Sequence, residues 1–104
     1  MLRFEETAFW VLHRGREYGP FDYQWSKDLH GIELLFDGDK FGEFINHHQL
    51  HADLSTYELP RKVSRVASIV LGSVVYGIRQ GWTHERRIEF ARENLRRESK
   101  RFGV

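Results

Sequence analysis

The sequence predicts an α+β fold in a single domain, residues 1–104, from three observations. A hairpin signature, Gly-x-x-(Tyr/Phe)-Gly-x-Phe, occurs at 15–21 and again at 38–44. Apolar residues recur at helical spacing over 63–78, and a second helical stripe follows Gly81. We therefore expect two ββα units that form a small, mostly antiparallel sheet of four strands. A C-terminal helical hairpin should pack on one face of this sheet.

The first ββα unit is expected to start with a strand at 8–13, which is rich in aromatic and branched side chains. Gly15 can adopt the positive φ that a tight turn requires, so the chain should return as a strand at 17–21. Asp22 is a suitable N-cap for a short helix at 23–30.

The second unit repeats this order. Residues 32–36 are expected to form a strand, and Asp37-Gly38 is a strong signal for a tight hairpin turn. The chain should return as a strand at 40–45 and then form a short helix at 47–54. The first half of the chain is thus interpreted as an internal duplication or pseudo-symmetry, or as two hairpins with similar turn requirements.

The helical stripe at 63–78 predicts a core helix, because its period continues through Gly72. A hairpin of 66–71 with 74–78 is the alternative. The stretch is shorter than the roughly 20 apolar residues that span a bilayer, and it contains Arg65, so no membrane span is expected. A last helix is predicted over 83–101.

Composition restricts the chemistry that is available. The chain has 104 residues and no cysteine, which excludes disulfides and thiolate metal sites and fits a reducing compartment. No basic and then apolar segment of a signal peptide is visible at the N-terminus. A cytoplasmic protein is expected on these grounds.

The net charge of +1 hides a contrast between the two halves of the domain. Residues 1–59 carry 5 Lys/Arg and 11 Asp/Glu, a net charge of −6. Residues 60–104 carry 11 Lys/Arg and 4 Asp/Glu, a net charge of +7. Part of this contrast should be satisfied where the halves dock, and the rest can steer a charged partner.

The first hairpin and the short helix predicted after it resemble the GYF domain family, through Trp10, the turn glycine Gly15, Tyr18-Gly19-Pro20-Phe21 and Trp25 on that helix. The resemblance implies a module that binds a proline-rich peptide at Trp10, Tyr18, Phe21 and Trp25. Such a peptide arrives preformed as a polyproline II helix and packs its prolines on aromatic rings. The alternative is that the four rings stabilise the sheet and the core. The whole chain also looks like small bacterial proteins, which implies no function.

The histidines at 47, 48 and 51 form a His-His-x-x-His cluster on the second predicted short helix. His47 and His51 would lie one turn apart, and a catalytic zinc would need a third ligand such as His13 or Asp53. We interpret the cluster as surface or half-buried histidines, and we predict no metal and no cofactor.

Several cations are expected on the outward side of the last helix: Arg86, Arg87, Arg97, Lys100 and Arg101. Phe90 lies on this basic side, where it can stack on a base or pack against a partner. Glu93 should pair with Arg97 and weaken the positive field. Binding of nucleic acid or another anionic partner is therefore an alternative hypothesis, carried by Arg86, Phe90, Arg97 and Arg101.

No sequence motif of catalysis is present, because the chain lacks a Gly-rich phosphate loop, a nucleophile elbow and any cysteine. A non-enzymatic protein-interaction module is the leading expectation. Self-association through Phe90 or the valine-rich helix at 63–78 is the third hypothesis, since a small chain gains stability by burying an additional apolar face.

Overall fold

The computed structural model describes the backbone of residues 2–26, 31–45 and 49–102, and the side chains of 2–26, 31–43 and 52–98. Within these ranges the chain forms six strands and then two long helices. The elements are β1 (Leu2–Glu5), β2 (Ala8–His13), β3 (Arg16–Trp25), β4 (Gly31–Phe36), β5 (Asp39–Ile45), β6 (Gln49–Ala52), a 3₁₀ turn (Ser55–Tyr57), α1 (Arg61–Arg79) and α2 (His84–Phe102).

The six strands form one antiparallel sheet in sequence order, so that each strand pairs with the next along the chain. The α+β class and the C-terminal helix pair are confirmed, and α1 is one continuous helix rather than a hairpin. The finer prediction of two ββα units with four strands is wrong, because β3 extends into the first predicted short helix, β6 replaces the second, and β1 precedes them all.

The helix predicted at 23–30 is the first error. Tyr23 to Trp25 continue β3, where Trp25 lies opposite Ile32 of β4. The Ser26 amide donates to the Gly31 carbonyl at 3.0 Å and closes the described end of this pair. Residues 27–30 lie outside the described residues. A strand gives Tyr23, Gln24 and Trp25 cross-strand neighbours, whereas an isolated eight-residue helix is marginal in water.

The helix predicted at 47–54 is the second error, because Gln49–Ala52 form β6. Residues 46–48 lie outside the described residues. An apolar pair four residues apart, such as Leu50 and Leu54, is compatible with a strand followed by a turn as well as with a helix. The strand β1 was not predicted at all, since four residues are too few for a reliable alternation.

The repeated signature marks two hairpin turns of the same kind. Arg14 and Gly15 have φ of 52° and 77°, and Asp37 and Gly38 have φ of 50° and 87°. Positive φ at both central residues is the mark of the type I′ turn, which matches the twist of the flanking strands. Each hairpin also has a bulge with the extra residue in its returning strand. The repeated signature therefore reflects two similar hairpins and not a repeated ββα unit.

The core lies between one face of the sheet and the two helices. Phe9 and Phe21 stack at 5.3 Å between ring centroids, and Phe21 contacts Phe36 at 5.0 Å. The stripe of α1 that faces these rings is fully or almost fully buried: Val63, Val66, Ala67, Val70, Leu71, Val74 and Val75. This uninterrupted burial over four turns is why the helical period was readable from the sequence.

Three side chains fix α2 against its neighbours. Ala91 is completely buried against the core. The Asn94 amide donates to the Ser73 hydroxyl of α1 at 2.8 Å. Arg87, which was expected to face outward, instead donates to the Tyr23 hydroxyl of β3 at 3.2 Å. This contact shows that Arg87 does not belong to the predicted outward basic face of α2, and it links this helix directly to the sheet.

Candidate functional site

Trp10 lies on the face of the sheet that points away from the helices. The Arg3 guanidinium stacks 4.0 Å above the centre of its ring. Arg3 also donates to Glu17 at 2.8 Å and to Glu5 at 2.9 Å, and the first of these bonds lowers the pKa of the Glu17 carboxyl. A Cβ on Gly19 would lie 2.8 Å from the Trp10 ring, so the indole also packs closely against the Gly19 backbone. The Trp10 ring is thus covered by its own neighbours.

The other three residues of the predicted peptide site lie on the helix-facing side of the sheet. Tyr18 is opposite Val11 and half-buried against the core. Phe21 is 0% exposed, so it cannot contact a peptide in this structure. Trp25 is 50% exposed and lies at the end of β3. The structure therefore does not bring Trp10, Tyr18, Phe21 and Trp25 together on one surface.

The histidine cluster falls largely outside the described residues. His47 and His48 lie in the gap between β5 and β6. His51 belongs to β6, but its side chain is outside the described part of the chain. The predicted spacing of one helical turn between His47 and His51 does not apply, because His51 is in a strand.

The aromatic residues that do come together lie at the end of the helix pair. We call Tyr76, Trp82, Phe90 and Arg86 the aromatic cluster. The Phe90 ring lies 5.4 Å from Tyr76 and 5.1 Å from Trp82, with the last pair edge to face. The Arg86 guanidinium lies 4.7 Å above Trp82. Tyr76 is 43% exposed, so one side of the cluster faces solvent.

Local backbone geometry holds Trp82 in this cluster. Gly81 has φ of +74° and turns the chain after α1, and the Trp82 amide donates to the Gly77 carbonyl at 3.0 Å. A Cβ on Gly77 would lie 3.1 Å from the Trp82 ring and 2.6 Å from Arg87 Cγ. Glycine at position 77 thus lets the loop and α2 approach α1 closely. The Arg87 side chain also donates to the Trp82 carbonyl at 3.1 Å.

A groove of about 400 Å³ runs from the aromatic cluster between α1 and α2. Its lining residues are Ser68, Ile69, Gly72, Ser73, Tyr76, Phe90, Asn94 and Glu98. It lies on the side of α1 opposite the buried valines. A Cβ on Gly72 would meet no atom within 4 Å, so the floor of the groove is open at this position.

A second depression, of about 640 Å³, continues the groove across α1 towards the turn after β6. It shares Ser68 and Ile69 with the groove and adds the apolar side chains of Leu54 and Leu59. Together the two depressions form one surface that follows most of the length of α1. We call this surface the α1 trough.

The charges around the α1 trough differ between the two helices. The α1 sequence contains no Asp or Glu, and its first and last residues, Arg61 and Arg79, are exposed. On α2, Arg86 pairs with Glu89 at 3.3 Å and with Glu93 at 3.7 Å. The predicted Glu93–Arg97 pair is therefore replaced by a Glu93–Arg86 pair. The α2 wall is mixed in charge, whereas α1 is purely cationic.

The four residues of the predicted basic surface are placed as follows. Arg86 and Phe90 contact each other within the aromatic cluster, at 5.8 Å from guanidinium to ring centre. Arg97 is exposed on α2. Arg101 belongs to α2, but its side chain lies outside the described residues. Only the first two are therefore shown to be neighbours.

Tyr76 and Trp82 are not predicted from the sequence as partners of Phe90. Tyr76 falls just outside the buried stripe of α1, and Trp82 directly follows the glycine that ends this helix. Both positions indicate a surface role, since an aromatic residue off the apolar stripe contributes to a surface rather than to the core.

Neither described helix combines the length and the apolar character that crossing a membrane requires. No protein family, curated protein or solved structure matches this chain.

Proposed function

We propose that this protein is a non-enzymatic protein-interaction module that binds a partner chain on its helix pair, at the aromatic cluster and the α1 trough. The observation that supports this is the group of three contacting rings and one arginine, open to solvent at Tyr76, at the end of an open groove. Aromatic residues and arginine are enriched where protein interfaces gain most of their binding free energy.

Preorganisation adds to this support. Each ring of the cluster contacts the other two, and the backbone of Trp82 is fixed by hydrogen bonds to Gly77 and Arg87. A partner that packs on these rings loses little additional conformational entropy, because the side chains are already held in place.

The first hairpin has weaker support as a peptide site. A proline-rich peptide needs several rings on one surface, and Trp10 lies on the opposite face of the sheet from Tyr18 and Trp25. Binding of nucleic acid through Arg86, Phe90, Arg97 and Arg101 stays a prediction. For that role Arg86 would have to contact phosphates while it is held by Glu89, Glu93 and two rings.

A peptide selection tests the proposed function. We expect peptides selected from a random displayed library against the protein to lose at least about tenfold in affinity for Tyr76→Ser, because the exposed ring and its contacts with the peptide are removed. Binding is measured by anisotropy of the labelled peptides. Leu12→Ser is the matched control, because Leu12 is 46% exposed on the sheet and Tyr76 is 43% exposed on α1.

The control should keep the affinity of the unaltered protein. Selected peptides that bind Tyr76→Ser as well as the unaltered protein, and lose affinity for Leu12→Ser, would contradict the proposal. Selection of proline-rich sequences that are insensitive to Tyr76→Ser would restore the first hairpin as the site.

A further inference from the structure

We infer that the partner bound in the α1 trough is an amphipathic helical segment with an apolar centre and acidic residues at both ends. This inference rests on the proposed function, and it names the chemistry of the partner. Three features of the trough carry it: the shape of the exposed ridge of α1, the apolar walls on either side of it, and the charges at its ends.

The exposed ridge of α1 has small residues at its centre and cations towards both ends. Arg61 and Arg79 are 18 residues apart, which is five turns of helix, so they lie on the same side of α1. The distance along the axis is about 27 Å at 1.5 Å per residue. Ser68 and Gly72 lie on the same side between them, in the floor of the trough. Arg65 lies on this side next to Arg61 and also lines the trough. The ridge is therefore low at its centre and carries positive charge towards each end.

The contacts within the chain do not explain why position 72 is a glycine. Gly77 is needed because a Cβ there would lie 2.6 Å from Arg87, whereas a Cβ on Gly72 would meet nothing within 4 Å. A glycine inside a helix weakens the helix relative to alanine. Its presence at the floor of an open groove permits a close approach by a second helix, as small residues do where helices pack tightly.

The walls of the trough supply apolar contacts on both sides of this ridge. Ile69 and Tyr76 belong to α1, and Phe90 forms the wall contributed by α2. Leu54 and Leu59 line the other end. An amphipathic helix can fill such a surface with apolar side chains spaced three and four residues apart, which is the usual pattern of helix-in-groove recognition.

The charge preference comes from α1. Arg61 and Arg65 line the trough, and Arg79 is the last residue of the same helix, which has no acidic residue. The surface is therefore positive towards both ends of α1. The α2 wall carries both signs, with Glu98 in the lining and Arg97 beside it, and gives no net preference. A bound helix therefore has the most favourable electrostatic interaction with α1 when its two ends carry Asp or Glu.

Two matched synthetic peptides test the inference. Each is a helix of about 18 residues, which spans about 27 Å, with leucines along one face of its centre. One peptide carries glutamates at both ends, and the other carries lysines at the same positions. We expect the glutamate peptide to bind about tenfold more tightly, with an advantage that shrinks as salt is raised. Anisotropy of the labelled peptides measures both affinities.

Charge reversal provides the specific control. The double variant Arg61→Glu with Arg79→Glu changes two exposed side chains, and we expect it to prefer the lysine peptide. The Leu12→Ser variant should keep the preference for the glutamate peptide. Polyglutamate and a single-stranded DNA oligonucleotide serve as anionic probes without apolar anchors, and we expect both to bind more weakly than the glutamate peptide.

Four results would overturn the inference. Equal binding of the two peptides would leave the proposed function standing and reject the acidic partner. Binding of neither peptide would reject a helical partner, while the peptide selection described above would still test the proposed function on its own. DNA or polyglutamate binding as strong as that of the glutamate peptide would indicate a general anion surface. A mass in sedimentation that rises with protein concentration, and that no longer rises for Tyr76→Ser, would show that a second copy fills the trough.

Discussion

Replacing Phe21 with alanine is expected to lower the free energy of unfolding by about 3–5 kcal/mol. The Phe21 ring is completely buried and contacts the rings of Phe9 and Phe36 at 5.3 and 5.0 Å. Truncation removes these contacts and leaves a cavity between the sheet and α1. Small domains have a total stability of roughly 5–15 kcal/mol, so a loss of this size would leave a measurable unfolded fraction.

Urea unfolding measures this loss as a lower midpoint with an unchanged slope. Leu12→Ala is the control, because Leu12 is 46% exposed and should change stability by no more than about 0.5 kcal/mol. Equal midpoints for Phe21→Ala and Leu12→Ala would show that Phe21 is not the centre of the core.

Gly19→Ala is expected to lower the free energy of unfolding by about 3 kcal/mol. Gly19 has φ of +152°, a conformation that alanine rarely adopts. A Cβ there would lie 2.8 Å from the Phe9 carbonyl oxygen, which is backbone and cannot rotate away, and 2.8 Å from the Trp10 ring. The strand pair must therefore shift to accommodate the methyl group.

Gly72→Ala is the matched control for Gly19→Ala. A Cβ at Gly72 meets no atom within 4 Å, and alanine is a better helix former than glycine by about 1 kcal/mol. Urea unfolding should therefore give a higher midpoint for Gly72→Ala and a lower one for Gly19→Ala. A Gly19→Ala protein as stable as the unaltered one would contradict the close packing of Trp10 on this backbone.

The long helices were predictable, because the apolar period of α1 continues through Gly72 over four turns, which favours one helix over the alternative hairpin of 66–71 with 74–78. The hairpin turns were predictable for a local reason, since Gly15 and Gly38 supply the positive φ that the turns require. The short strands β1 and β6 were not predictable, because each has only four residues and draws its stability from neighbours that are distant in sequence.

The orientation of the first hairpin could not be derived from alternation alone. The bulge opposite Trp10 adds one residue to β3, so Tyr18 and Phe21 both face the core although they are three residues apart. Without the bulge one of them would face outward. The inserted residue therefore places Tyr18 and Phe21 on the same face, whereas Trp10, between the buried Phe9 and Val11, lies on the other.

The aromatic cluster could not be predicted from the sequence, for a different reason. Phe90 was noticed because it lies off the buried stripe of α2, but its neighbours Tyr76 and Trp82 come from α1 and from the loop between the helices. Their proximity depends on how closely the helices pack, which Gly77 permits. Such contacts across elements are set by tertiary packing rather than by local spacing.

The three tryptophans report separately on the candidate surfaces, which makes fluorine NMR of the fluorotryptophan-labelled protein the most direct test of the central claim. Trp10 lies on the outer face of the sheet, Trp25 at the end of β3, and Trp82 in the aromatic cluster. On titration with a selected peptide we expect the Trp82 resonance to shift and those of Trp10 and Trp25 to stay. A shift of Trp10 or Trp25 with an unchanged Trp82 would show that the helix pair is not the binding surface.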